Sequence, residues 1–307
     1  MSIVLNPGNQ HQEWIDHLSE ALPDERIQLW PACDDPDAVE LVVAWRMKRS
    51  DLASFPRLRA ILSLGAGVEQ WQKPGIPDVD IVRLADPAMS DEMAAFALYW
   101  VFRLQRRFDV LETQQARGQW EQVPYVPATS FRVGVLGYGT IGGRIGRAFS
   151  ELGYQVNAWS RSGTKNETVR SFRGTGELEE FLGSSDAVIS VLPNTEATKG
   201  LLDAQRLGQF ADGSLLINIG RGTVLSSEAD LVTALDEGPL GAAVLDVTEP
   251  EPPAASSPLF KNPNVYLTPH IAGNTQVGTS ARLVADNIRR IRRGEAPFPL
   301  VDRTHGY

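Results

Sequence analysis

The sequence predicts an α/β protein of two doubly wound parallel-sheet domains, the second a Rossmann dinucleotide-binding domain inserted into the first. Three observations carry that prediction. Short apolar runs alternate with polar, helix-like stretches along the 307 residues. A glycine-rich turn, Gly137-Tyr138-Gly139-Thr140-Ile141-Gly142, lies between a strand-like run and an amphipathic segment. A long apolar stretch from Ser90 onward separates one αβ series from the next.

The first series has strand-like runs at residues 3–5, 27–30, 41–45, 60–64 and 81–84. Between the first two, Trp14, Ile15, Leu18 and Leu22 recur at helical spacing. Ser90-Asp91-Glu92 reads as a helix start, an N-cap serine followed by acids in the first turn. Apolar residues continue to Phe108 and Leu111, and Gly118 is the expected end. A helix this long and apolar suits a domain junction or a contact with a second subunit. After Pro124 and Pro127 a second series begins, with strands expected at 132–136, 155–159, 187–192, 215–219, 242–245 and 265–267. Helices are expected at 203–210 and 226–235, and a last one at 280–292 returns to the first domain. The expected domains are therefore 1–98 with 275–307, binding substrate, and 99–274, binding the dinucleotide.

Composition narrows the function. A 42% hydrophobic fraction supplies two cores and excludes disorder. Lys and Arg total 29 against 38 Asp and Glu, a formal charge of -9, so neither nucleic acid nor an anionic membrane is an expected partner. The only cysteine, Cys33, excludes a disulfide scaffold. The opening MSIVLNPGNQHQEW has no basic region followed by a long apolar one, so no signal peptide is expected. The longest apolar run, residues 93–102, is well short of the roughly 20 residues needed to cross a bilayer. A soluble, cytoplasmic protein is expected. His11, His17 and His305 have no neighbours at metal-ligand spacing, so no metal is expected. The basic run Arg289-Arg290-Ile291-Arg292-Arg293 reads as a solvated helix end whose cations offset the dipole.

The glycine turn sits where a dinucleotide site needs it, after a strand and before Ile141, Ile145, Ala148, Phe149 and Leu152 at helical spacing. Gly137 permits the tight turn, Gly139 lets backbone approach a pyrophosphate, and Gly142 lets helix and strand pack closely. Free N–H groups at the helix start face the anion. NAD-preferring sites place an acid about 20 residues further on, for the ribose 2′-hydroxyl. Here the chain reads Trp159-Ser160-Arg161-Ser162-Gly163-Thr164-Lys165, with no acid. An arginine between two hydroxyls suits a phosphate, which predicts NADP(H) in preference to NAD(H).

Three later segments each carry an ionisable residue at the carboxyl end of an expected strand, the edge where such sheets bind ligands. They are Asn218-Ile219-Gly220-Arg221-Gly222, Asp246-Val247-Thr248-Glu249-Pro250-Glu251-Pro252 and Thr268-Pro269-His270. This set suits reduction of a ketone by hydride. A protonated His270 gives a proton to the carbonyl oxygen, Glu251 orients the imidazole and favours its charge, and Arg221 clamps a neighbouring carboxylate.

With the glycine turn and Leu192-Pro193-Asn194-Thr195-Glu196-Ala197-Thr198, these segments make the chain resemble the D-2-hydroxyacid dehydrogenase family over almost its whole length. Within the family it is most similar to the glyoxylate/hydroxypyruvate reductase branch. The supports are Arg106-Arg107-Phe108-Asp109, Trp159-Ser160-Arg161-Ser162, Leu64-Gly65-Ala66-Gly67-Val68 and the ending Val301-Asp302-Arg303-Thr304-His305-Gly306-Tyr307. The resemblance implies Arg221, Glu251 and His270 as the catalytic three; of the competing acids Glu249 and Glu251, its spacing from Asp246 selects Glu251. It implies that Ala66 and Gly67 bind the substrate carboxylate, and that Asp246 with the Ile219 carbonyl holds the nicotinamide amide. Residues 137–142, Ser160, Arg161, Ser162, Leu192, Pro193 and Thr198 complete the implied cofactor set. Trp45, with Arg46 beside it, is a candidate for the substrate pocket. The family often has Phe where this chain has Thr248. A homodimer and an active site in an interdomain cleft are also implied. The expected function is reduction of small 2-oxoacids such as glyoxylate and hydroxypyruvate. The alternatives are a dehydrogenase for a bulkier 2-oxoacid and a dinucleotide-sensing protein without turnover.

Overall fold

In the computed structural model, which describes residues 2–8 and 10–307, the apolar runs of the first series pair as one all-parallel sheet. Its strands are β1 (Ser2–Asn6), β2 (Arg26–Leu29), β3 (Val39–Ala44), β4 (Ala60–Ser63) and β5 (Asp80–Val82), in the order β2-β1-β3-β4-β5. Every residue of β4 and nearly every residue of β1 and β3 is buried, as a sheet covered on both faces requires. Helices α1 (His11–Ala21) and α2 (Arg49–Leu52) belong to this series, followed by α3 (Pro87–Gln105) and α4 (Phe108–Ala116).

The second sheet contains β6 (Arg132–Leu136), β7 (Gln155–Ser160), β8 (Arg170–Arg173), β9 (Ala187–Ser190), β10 (Ser214–Asn218), β11 (Leu240–Leu245) and β12 (Val265–Leu267). Its helices are α5 (Thr140–Glu151), α6 (Leu178–Gly183), α7 (Ala204–Leu207) and α8 (Glu228–Asp236), and α9 (Val277–Arg292) closes the chain's helical series. The order β12-β11-β10-β9-β6-β7-β8, parallel throughout, reverses direction between β6 and β9. That reversal opens the crevice in which doubly wound sheets bind ligands. Among the described residues no helix is long and apolar enough to cross a membrane.

The chain divides into two units. One runs to Met89 and resumes at Asn274–Tyr307; the other is Ser90–Gly273. The first junction falls inside α3, earlier than the expected residue 99, and the second lies one residue before the expected 275. In the first unit α9 packs against α1, and its Val277, Ala281, Val284, Ala285, Ile288 and Ile291 are buried and at helical spacing.

Several local expectations need correcting. Ser90 is not an N-cap, because α3 already begins at Pro87. Proline suits a first helical position, and the Asp86 carboxylate accepts the Ala88 N–H at 2.9 Å, which caps the start. The long helix also breaks before Phe108, where Arg107 takes a left-handed φ of 56°. The turn brings Arg103 onto Glu112 in two hydrogen bonds of 2.5 and 2.6 Å. In an unbroken helix those residues would stand about 13 Å apart along the axis. The final helix starts at Val277 rather than at residue 280. Strand β8 escaped notice because only Phe172 among its residues is buried and it pairs with β7 alone, so it has no apolar pattern to read.

The basic run is not simply solvated either. Arg292 is 18% exposed and meets Glu25, through two bonds of 2.6 and 2.7 Å, and Glu40 at 2.6 Å. The bond to Glu25 raises the Arg292 pKa above the ordinary arginine value. Arg292→Ala should therefore strand the poorly solvated Glu25, leave Glu40 with the more distant Arg59 at 3.8 Å, and lower the stability of the first unit by about 2–4 kcal/mol, read as an earlier urea transition, whereas Arg293→Ala should change it little.

Candidate active site

The second unit assembles its site from the carboxyl ends of its strands. At the end of β6 the chain turns through Gly137 with φ +105°, a conformation L side chains rarely adopt. The N–H groups of Gly137 and Tyr138 both donate to the Trp159 carbonyl, at 2.9 and 3.1 Å, which ties the turn to β7. A Cβ on Gly142 would fall 2.0 Å from the Gly137 carbonyl oxygen, so only glycine lets α5 start this close. Gly139 is the N-cap of α5, and no side chain caps the helix. A Cβ there would meet nothing within 4 Å. First-turn donors without a capping side chain, facing open space, fit the pyrophosphate of a dinucleotide.

Around this turn the other expected cofactor residues have distinct settings. Arg161 and Ser162 are exposed on the loop after β7, and the Ser160 carbonyl accepts the Gly174 N–H at 3.1 Å. Leu192 is buried, and a Cβ on Gly220 would lie 2.7 Å from its backbone nitrogen, so the loops after β9 and β10 touch. The Thr198 hydroxyl is spent on its own loop, donating to the Pro193 carbonyl at 2.5 Å and accepting from the Thr195 N–H at 2.9 Å.

Strands β10, β11 and β12 are neighbours, so the segments bearing Arg221, Glu251 and His270 leave one edge of the sheet side by side. A Cβ on Gly222 would strike the Thr248 carbonyl carbon at 2.1 Å, so the first two of these segments are in contact. Fully buried Asn218 donates from Nδ2 to the Arg221 carbonyl at 3.0 Å and accepts the Gly220 N–H at 3.3 Å. The Arg221 guanidinium donates to the Gly220 carbonyl at 2.8 Å. His270 Nδ1 lies 2.7 Å from Glu251 Oε1, both side chains about half exposed. Glu251, not Glu249, is thus the acid at the histidine. With the carboxylate ionised, Nδ1 carries the proton, and Nε2 is the ring atom left for a reacting group. Thr248 braces the same loop by donating to the Pro250 carbonyl at 2.8 Å.

Asp246 organises this corner. It is 2% exposed, and its carboxylate accepts the Thr268 hydroxyl at 2.6 Å and the N–H groups of Ile271 and Ala272, each at 2.9 Å. Its carbonyl accepts the His270 N–H at 2.9 Å. His270 needs that support, because its φ of 55° is unusual for a residue with a side chain. Asn218 and Thr268 stood in the sequence motifs without a role. Polarity at a strand end was their only signal: the Thr268 hydroxyl is spent on the Asp246 carboxylate, 22 residues away, and Asn218 on backbone groups of the turn that follows it.

In the first unit, the loop after β4 carries Ala66 and Gly67. The Leu64 carbonyl accepts the Thr275 hydroxyl at 3.2 Å, and the Gly65 carbonyl accepts the Leu84 N–H at 3.2 Å. A Cβ on Gly65 would lie 2.5 Å from the Trp45 ring, so the indole rests on this loop. Gln70 holds it from behind by donating to the Trp45 carbonyl at 2.8 Å.

A dinucleotide turn joined to an acid–histidine pair at the same sheet edge defines a nicotinamide-dependent oxidoreductase. Residues 98–272 match the family model described as D-isomer specific 2-hydroxyacid dehydrogenase, NAD binding domain. The chain is 35% identical over 312 residues to a glyoxylate/hydroxypyruvate reductase A of Serratia proteamaculans, with 99% of each chain covered. It superposes with a TM-score of 0.95 on a D-isomer specific 2-hydroxyacid dehydrogenase from Xanthobacter autotrophicus solved with NADPH and MES, at 37% identity and covering 100% and 99% of the two chains. A TM-score of 0.92 relates it to an NADPH-dependent glyoxylate/hydroxypyruvate reductase from Sinorhizobium meliloti solved with NADP and sulfate, at 29% identity and 100% of both chains. The chain belongs to the D-isomer specific 2-hydroxyacid dehydrogenase family. Within it, the resemblance is to the glyoxylate/hydroxypyruvate reductase A branch.

Asp246→Ala would leave two backbone N–H groups and a hydroxyl without their acceptor, at a cost of about 2–4 kcal/mol. The expected outcome is a lower melting temperature together with loss of turnover as His270 slips. Thr268→Val, which removes one of the three bonds, should fall between that variant and the parent in both thermal melts and kinetics.

Proposed function

We propose that this protein reduces small 2-oxoacids, such as glyoxylate and hydroxypyruvate, to 2-hydroxy acids with NADPH, His270 acting as general acid. The observation that carries the reading is the 2.7 Å contact between His270 and Glu251 on the sheet edge that also bears the uncapped start of α5. Bound NADPH supplies the hydride. His270, protonated at both ring nitrogens, gives the Nε2 proton to the carbonyl oxygen as negative charge grows there. Glu251 fixes the ring through its contact with Nδ1. Arg221 holds the substrate's carboxylate and draws electron density toward the oxygen. Ala66 and Gly67 are assigned the same carboxylate through their backbone N–H groups, with Trp45 as a wall.

Residues 137–142 take the pyrophosphate, and Leu192, Pro193 and Thr198 flank the cofactor. Ile219 and Asp246 are assigned the nicotinamide amide. Among the described residues Asp246 Oδ2 accepts a single hydrogen bond, and so it retains acceptor capacity. Preference for NADP(H) rests on Ser160, Arg161 and Ser162 and on the absence of an acid there. The relatives solved with NADPH or NADP support it. We also infer a homodimer, since α3, α4 and the segment after them expose Tyr99, Phe108, Trp120 and Tyr125, with Trp120 fully exposed. A cytoplasmic location belongs to the same reading.

Steady-state kinetics with NADPH and NADH against a panel of short 2-oxoacids test this directly. Turnover of glyoxylate and hydroxypyruvate with a lower KM for NADPH is expected; no turnover of either sinks the proposal. Arg161→Ala should raise the KM for NADPH about tenfold with little effect on NADH, consistent with loss of one charge-assisted contact. His270→Ala should lower kcat by about 10²–10⁴ while NADPH still binds, seen by fluorescence titration. Light scattering should give twice the mass of the single chain.

A further inference from the structure

A groove of about 390 Å³ follows one face of α5, and its floor is the stripe Thr140, Gly143, Arg144 and Arg147. Those positions, three and four apart, lie on one side of a helix and span about 10 Å. The opposite wall is Thr164 and Asn166, in the loop that continues from Ser160, Arg161 and Ser162. No carboxylate lines the groove. Arg144 is neutralised, its Nε standing 2.5 Å from Asp91 Oδ1. Arg147 is exposed and has no ion pair with a carboxylate among the described residues.

The wall is braced. Tyr138, the residue between the first two glycines of the turn, packs so closely on α5 that a Cβ on Gly146 would lie 2.7 Å from its ring. Its hydroxyl accepts Asn166 Nδ2 at 3.4 Å. Asn166 in turn accepts the Thr168 hydroxyl at 2.8 Å and the Thr168 N–H at 3.1 Å, and it donates its own N–H to the Thr164 hydroxyl at 3.2 Å. The Thr164 N–H is anchored on Ser171 Oγ at 2.9 Å. Burial raises the Tyr138 pKa above its ordinary value, so the phenol stays a neutral strut beside Arg147. One end of the groove is thus the pyrophosphate turn, one wall belongs to the loop assigned to the ribose, and an uncompensated guanidinium stands on its floor.

We propose that Arg147 is a second cation for the 2′-phosphate of NADP(H), beside Arg161, with Tyr138 and Asn166 holding the groove in shape. This rests on the NADP(H) reading above. A dianionic phosphate monoester is the ligand chemistry that two guanidinium groups suit, and NAD(H) carries no such group on that ribose.

The test is calorimetric titration of the intact protein with 2′,5′-ADP and, separately, with 5′-ADP, so that no turnover is needed. Arg147→Ala should weaken 2′,5′-ADP about tenfold, or 1.4 kcal/mol, and shift 5′-ADP less than twofold. Arg147→Lys should recover part of the loss, and the salt dependence of 2′,5′-ADP binding should become shallower in the alanine variant. Asn166→Ala should show the same selective loss at smaller size. If Arg161→Ala weakens 2′,5′-ADP and Arg147→Ala does not, the assignment of Arg147 is overturned while the NADP(H) reading stands. Equal weakening of both nucleotides by Arg147→Ala also overturns it. If the parent protein does not prefer 2′,5′-ADP to 5′-ADP, the NADP(H) reading fails first and takes this assignment with it.

Discussion

Parallel pairing of β10, β11 and β12 is the constraint on which the site depends. The ladders set Asn218 beside Leu245 and Leu245 beside Leu267, so three strands end together. The segments leaving those strand ends must emerge from one edge, and they carry Arg221, Asp246 to Glu251, and His270. Residues about 20 to 30 positions apart in sequence become neighbours because a parallel sheet has a single carboxyl edge. Antiparallel pairing would have sent alternate loops to the far side.

The edge brings the groups close but does not aim them. Aim comes from buried polar residues that touch only the chain itself. Asp246 gathers the hydroxyl of Thr268 and the N–H groups of Ile271 and Ala272, and between them holds His270 in a left-handed conformation. Such a conformation costs about 1–3 kcal/mol and survives only where its surroundings over-determine it. Asn218 does similar work for the turn bearing Arg221. A buried carboxylate whose bonds all run to the segment after β12 has been invested in geometry, and at a reacting centre a displacement of about 1 Å is expensive.

The cofactor end obeys a different logic. There the chain leaves groups unspent: α5 begins without a capping side chain, Gly139 borders open space, and Arg147 has no acidic partner lining its groove. In a protein with a formal charge of -9, positive charge left uncompensated in one groove is a local departure from the whole. Donors saturated by the chain's own side chains have little to offer a phosphate. Donors saved for it give both affinity and selectivity.

The amino-acid order alone determined the two αβ series, the glycine turn and the three ionisable segments, because each is a local pattern: apolar periodicity, a glycine where φ must be positive, charge just past a strand. Even Glu251 rather than Glu249 was legible, though only through resemblance to a family. Tertiary structure alone decided what depends on partners distant in sequence. Strand β8 has a single buried residue and exists because β7 offers it an edge. The break at Arg107 sets Arg103 against Glu112, and Arg292 leaves solvent because Glu25 and Glu40 wait on other elements. Asp246 and Tyr138 acquire their tasks in the same way, since hydrogen bonds to the Ile271 and Ala272 N–H groups, 25 and 26 residues on, or to the Asn166 side chain, 28 residues on, leave no periodicity for a sequence to display.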